Sequence, residues 1–235
     1  MSFQNKRVEV MKAKQTKLPL LGALTSVSLV VFAYMCFFYA PEDSVQGVVQ
    51  RVFYPHVASA WVASIAFLVV FLVSIRFLVT RDVKWDEWAA ASAEIGLLFT
   101  SATLVLGMIW GKAVWGVYWT WDPRLTSVLV LWLLYLGYIA LRFYVVEPMR
   151  RARYAAVLGI VSFIDVPIIY VSVKLWRTLH PQQIIITDDG PQLPTAMLIT
   201  VLFGVFAFTV LYIYLARLRA QVLRLADQSH RRNAA

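Results

Sequence analysis

Apolar residues in this chain come in long blocks, not in the alternation of a strand or the stripe of an amphipathic surface helix. Six blocks stand out, at roughly 18–40, 57–79, 88–110, 125–146, 155–175 and 195–216. Each is close to the ~20 residues a helix needs to cross the hydrocarbon core of a bilayer. Closed helices are also what lipid permits, because no water is there to satisfy an open backbone. The pattern therefore predicts an all-α polytopic membrane protein: six transmembrane helices in a single membrane domain over 1–235. The intervening segments at 80–87 and 147–154 are short and charged. Those at about 41–56, 111–124 and 176–194 are longer and chemically richer.

Composition agrees, with 60% of residues hydrophobic and 15% charged, against about half and a quarter in ordinary globular domains. The net charge of +9 would suit nucleic acid if it were spread over a surface, but its placement argues for topology instead. Lys6, Arg7, Lys12, Lys14 and Lys17 precede the first block. Arg76, Arg81 and Lys84 flank the second connection, and Arg142, Arg150, Arg151 and Arg153 the fourth. Arg217, Arg219, Arg224, Arg231 and Arg232 follow the last block. By the positive-inside rule this side is cytoplasmic and holds both termini. Residues 217–235 then form a basic cytoplasmic tail facing the lipid bilayer surface, with Leu215, Leu218, Val222 and Leu225 at helical spacing. No nucleic-acid partner is implied. The first apolar run is long and ends in "MCFFYAPED", without a small-x-small cleavage site, so it is expected to be an uncleaved span. Cys36 is the only cysteine, which excludes a disulfide framework or a CxxC metal site.

The unusual residues gather on the opposite, outer side. His56 lies in "RVFYPHVASAW" where the second block begins, and His180 in "LWRTLHPQ" just after the fifth. Either could be an interfacial histidine bonded to water or backbone; as a pair on one face they are candidate ligands. Between them in sequence lies "WGVYWTWDPRLTS", residues 115–127. Four of the nine tryptophans, Trp110, Trp115, Trp119 and Trp121, fall between positions 110 and 121. An aromatic belt at the membrane interface is the alternative for such residues, and an Asp-Pro pair ahead of an apolar run is also an ordinary helix start. The basic residues on this side, Arg51, Lys112, Arg124, Lys174 and Arg177, all lie near a histidine or the tryptophan loop. Positive charge is disfavoured there, so an anionic ligand is suggested. An iron-porphyrin fits the set: imidazole for the iron, flat aromatic surface for the ring, and cations for the propionates. No histidine lies within an apolar block, so no ladder of ligands across the bilayer is expected.

These residues bear a specific resemblance. "WGVYWTWDPRLTS" resembles the tryptophan-rich WWD signature of heme-handling proteins of cytochrome c maturation. "MIWGKAVWGVYWTWDPRLTS", "FIDVPIIYVSVKLWRTLHPQ" and "YPHVASAW" together are similar to the heme exporter protein C family, over nearly the whole chain. The resemblance implies that His56 and His180 are axial ligands of heme b bound non-covalently in transit. It implies that Trp115, Gly116, Tyr118, Trp119, Trp121, Asp122, Arg124 and Leu125 hold heme and engage a heme chaperone; Arg51 and Arg177 are added here as candidate propionate partners. Tyr118 stands where the family commonly has another tryptophan, and Pro123 where alanine is common. Ala58 occupies a position where proline is usual, with Pro55 on the other side of His56. The implied role is heme binding at the periplasmic face of a bacterial inner membrane and delivery to a membrane-anchored heme chaperone. The chain is expected to be a heme-binding and transfer protein rather than an enzyme, with its part in the chaperone's covalent heme attachment left open. The implied partners are that chaperone, ABC transporter subunits and a small single-span subunit. Two other readings are a b-type heme subunit exchanging electrons with quinone and a non-heme docking subunit.

Glu94 and Asp165 fall inside apolar blocks. Intramembrane carboxylates are costly, so partner contact or structure is expected of them. For Asp165, two residues before Pro167, a bond to backbone loosened by that proline is a further expectation.

Overall fold

The computed structural model describes residues 3–176, His180 and residues 190–233, with side chains described for 18–176, His180 and 190–228. It is an all-α protein. Helix α1 (Phe3–Tyr34) continues through a π turn at Met35–Tyr39; a 3-10 turn at Val48–Val52 leads into α2 (Phe53–Thr80). Next come α3 (Val83–Trp115), α4 (Pro123–Tyr144), α5 (Pro148–Ser162), α6 (Asp165–Leu175) and α7 (Thr195–Asn233). Six helical stretches are long and apolar enough to cross a membrane, α5 and α6 counting together as the fifth.

Helix ends are set by residues that close the backbone locally. Asp82 caps α3 by accepting from the Lys84 N–H at 3.1 Å. Asp122-Pro123 and Glu147-Pro148 start α4 and α5 by one device: the carboxylate accepts from the next free N–H groups, and proline fills the first helical position, where its missing N–H costs nothing. The Glu147 carboxylate, bonded by the Met149 and Arg150 N–H groups, is held below the ordinary glutamate range.

The span limits differ from those read by hydropathy. Helix α2 begins at Phe53, so His56 sits in its first turn rather than in the preceding connection. Pro55 is accommodated there because first-turn N–H groups have no helical partner. Helix α3 extends past both ends of the 88–110 block, so the expected 111–124 loop contracts to residues 116–122 between Trp115 and Pro123. Helix α7 runs unbroken into the basic tail.

The core lies between α2, α3, α4, α5 and α7. Small residues such as Ala63, Ala66 and Ala93 let α2 and α3 approach closely, and Phe67 stacks on Tyr135 at 3.7 Å between ring centroids. Close packing of small residues holds helices together where lipid removes most of the hydrophobic driving force. Toward the basic side, α3 is tied to its neighbours by ion pairs. Asp86 takes both arms of Arg142 from α4 (2.6 and 2.9 Å). Glu87 pairs with Arg224 and Glu94 with Arg219, both from α7. Glu94 thus ties α3 to α7.

The fifth span is broken rather than kinked. Pro167 has no N–H to give the Phe163 carbonyl, which instead receives the Val166 N–H at 3.1 Å. Asp165 does not complete the repair among the described residues, where its Oδ2 is buried with no hydrogen-bond partner.

Candidate functional site

On the side opposite the ion pairs, α2, α3, the 116–122 loop, α4 and α6 enclose a cavity of about 540 Å³, within the range of small-molecule sites. Its wall is largely apolar and aromatic, and both His56 and His180 line it.

Helical spacing builds two of the walls. His56, Ala60 and Ser64 recur every fourth residue on α2, facing Thr103, Gly107 and Gly111 at the same interval on α3. His56 Nδ1 lies 3.0 Å from the Thr103 carbonyl oxygen. A carbonyl only accepts, so Nδ1 carries the proton and Nε2 keeps its lone pair in the neutral ring. The imidazole reaches α3 because residue 107 is glycine: a Cβ there would stand 3.0 Å from His56 Cε1 and 3.5 Å from Nδ1. Beside it, the Trp110 indole packs at 5.9 Å from the imidazole and 6.2 Å from Trp115.

The aromatic loop starts where α3 stops. Gly116 adopts φ 76, the left-handed conformation that ends a helix, and its N–H returns to the Lys112 carbonyl. Lys112 Nζ in turn donates to the Gly116 carbonyl at 2.8 Å and lies 5.3 Å from the Tyr118 ring centroid. Lys112 thus holds the helix end and is not among the cavity-lining residues. Trp115, Tyr118 and Trp119 line the cavity. The Trp119 Nε1–H is buried and has no acceptor among the described residues. Trp121 meets Trp119 edge-on at 5.6 Å but lies 76% exposed outside the cavity. Asp122 is committed to the backbone. Its Oδ1 accepts from the Arg124 and Leu125 N–H groups, and its Oδ2 from Thr120 Oγ1 at 2.9 Å. That cap orients the first turn of α4, from which Arg124 and Leu125 line the cavity. The Arg124 guanidinium has no carboxylate partner among the described residues, and it is the one Lys or Arg described in the wall.

Of the residues singled out in the sequence, the fold brings His56, His180, Trp115, Tyr118, Trp119, Arg124 and Leu125 together. Gly116 and Asp122 shape the loop from behind. Arg51 is directed elsewhere, its guanidinium 3.5 Å from Glu42, and Arg177 lies outside the described residues. Missed from sequence were Thr103, Gly107 and the stretch of wall that Phe163, Val166, Pro167 and Tyr170 contribute around the α5–α6 break. The i, i+4 relation of Thr103 and Gly107 was a usable signal for the first two.

The sequence pattern of the family described as "Heme exporter protein C" matches residues 2–234. A heme exporter protein C of Bradyrhizobium diazoefficiens is 41% identical over 209 residues, covering 88% of this chain and 79% of its own length. One of Haemophilus influenzae is 35% identical over 213 residues, 91% of this chain and 87% of its own. A putative cytochrome c biosynthesis ccmC-like mitochondrial protein of Marchantia polymorpha is 40% identical over 174 residues, 74% of this chain and 73% of its own. With a match running almost end to end, this chain belongs to the heme exporter protein C family.

Proposed function

We propose that the cavity binds heme b non-covalently at the outer face of a bacterial inner membrane and hands it to a membrane-anchored heme chaperone for cytochrome c maturation. One observation carries the reading: His56 and His180, from separate elements, line a single aromatic cavity that also contains Arg124. Heme would supply an iron needing imidazole, an apolar ring and two carboxylates. The donors present fit. His56 holds its proton on Nδ1 against Thr103, which directs the lone pair of Nε2 to a metal and fixes the ring. Trp115, Tyr118 and Trp119 supply flat apolar surface. Among the described residues Arg124 pairs with no carboxylate and the buried Trp119 N–H meets no acceptor, a cation and a donor suited to a propionate. His180, in the same wall, would offer the iron a second imidazole.

The outward orientation rests on the charge pattern, which assigns the ion-paired, Arg-rich side to the cytoplasm. The exposed Trp121 and Tyr118 at the loop are the surface offered to the chaperone. ABC transporter subunits and a small single-span subunit are the membrane partners that the family implies. In this role the chain binds, orients and releases heme.

The test is transfer. Heme-loaded full-length protein in detergent is mixed with heme-free chaperone, and the two are separated. Heme absorbance moving to the chaperone supports delivery. Heme that stays with this chain and is reduced by quinol favours the b-type redox subunit. A chain that takes up no heme favours a docking subunit.

A further inference from the structure

We propose that Gln46, in the loop between the first two spans, is a positioning residue that fixes the His56 imidazole through Trp110; the proposal rests on the heme reading above. Trp110 is 6% exposed and wedged between Phe53, His56 and Trp115, with ring centroids at 5.6, 5.9 and 6.2 Å. A buried indole needs an acceptor for its one N–H. Gln46 Oε1 provides it at 2.8 Å, and since Nε1 only donates, the amide oxygen must be the atom that faces it.

Gln46 is itself held. Its backbone N–H and that of Val45 both donate to Asp43 Oδ1 at 2.8 Å. The Gly47 N–H closes the turn onto the Asp43 carbonyl at 2.9 Å, with Gly47 at φ 59. A short, self-braced loop therefore sets the plane of the indole. The indole is one of two walls against the imidazole, the other being α3 at Thr103 and Gly107. Without the Gln46 bond the buried N–H loses its acceptor, so the indole shifts within its packing and the stop it gives the imidazole moves with it. The plane of an axial imidazole sets the magnetic anisotropy of a low-spin ferric heme, so this role has a spectroscopic signature that loss of fold would not produce.

Full-length protein loaded with heme is studied by electron paramagnetic resonance and by heme loss to an excess of apomyoglobin. Gln46→Leu is expected to shift or broaden the largest g value and to speed heme loss by up to about tenfold, the lower end of effects from partners that orient a metal ligand. Trp110→Phe removes the donor and gives a comparable change, and Gln46→Leu added to it makes matters no worse. Gln46→Glu keeps an acceptor and restores the parent spectrum. If Gln46→Leu keeps the parent's g values and loss rate while His56→Ala alters both, the proposal falls and the heme site stands. If His56→Ala also leaves the spectrum unchanged, the heme reading falls and takes the proposal with it.

Discussion

Replacing Gly107 with alanine separates the binding site from the fold. The added Cβ would stand 3.0 Å from His56 Cε1, against an ordinary carbon–carbon separation of about 3.5–4.0 Å. The imidazole must retreat from α3 by roughly 0.5 Å or more. Thr103 lies one turn back on the same helix, so the retreat also lengthens the 3.0 Å bond from His56 Nδ1 toward ~3.5 Å, where little of a hydrogen bond is left. For stability two terms oppose. Overpacking costs about 1–3 kcal/mol, and alanine in a helix interior gains roughly 1 kcal/mol over glycine. The net is a loss of about 0–2 kcal/mol. The site has no such compensation, since disturbing the partner that orients a metal-binding histidine lowers affinity about 10–100-fold. The expected result for Gly107→Ala is a thermal midpoint within a few degrees of the parent, with heme loss to apomyoglobin accelerated at least tenfold. Parent-like retention and spectrum in a folded Gly107→Ala protein would refute the argument that this glycine seats the histidine.

Further outcomes follow from the scaffold. Asp86→Ala leaves Arg142, only 15% exposed at its side chain, without its carboxylate and should cost about 3–5 kcal/mol in thermal unfolding. Asp86→Leu with Arg142→Met should recover most of that loss, and equal losses in the two variants would contradict a desolvated pair. Asp122→Ala should cost ~1 kcal/mol through the α4 cap, with Asp122→Ser keeping most of it; a serine variant as unstable as the alanine one would show that capping is not what Asp122 does. Glu147 has its carboxylate stabilised in the fold, so its contribution is complete above the ordinary glutamate range and fades as pH falls through the lowered value. The gap in midpoint between parent and Glu147→Gln should therefore narrow on acidification, and a gap independent of pH would exclude this linkage.

The number of spans was legible because lipid admits so few backbone solutions, and long apolar blocks announce them. Their limits were less so. Hydropathy stops counting where a helix leaves the apolar zone, whereas α3 stops only where Gly116 turns left-handed. The Asp122-Pro123 start was readable because its capping chemistry is local. Glu94 could not be resolved from sequence, because Arg219, which neutralises it, is 125 positions away. Arg51 shows the converse: near His56 in sequence, it is not among the residues that line the cavity, and its guanidinium lies 3.5 Å from Glu42. The two histidines were assigned to one side by topology, but that they line one cavity, with Phe163, Val166 and Pro167 from the α5–α6 break in the same wall, is a tertiary relation that a proline signal alone does not place.

The central claim is that one cavity presents two histidines to one ligand, and the most direct measurement is the absorption spectrum of the purified full-length protein, oxidised and reduced. It is recorded beside His56→Ala, His180→Ala and the double substitution. The account predicts a low-spin heme spectrum in the parent, altered by each single change and lost or severely weakened in the double. A parent that binds no heme, or a spectrum indifferent to both substitutions, would contradict it.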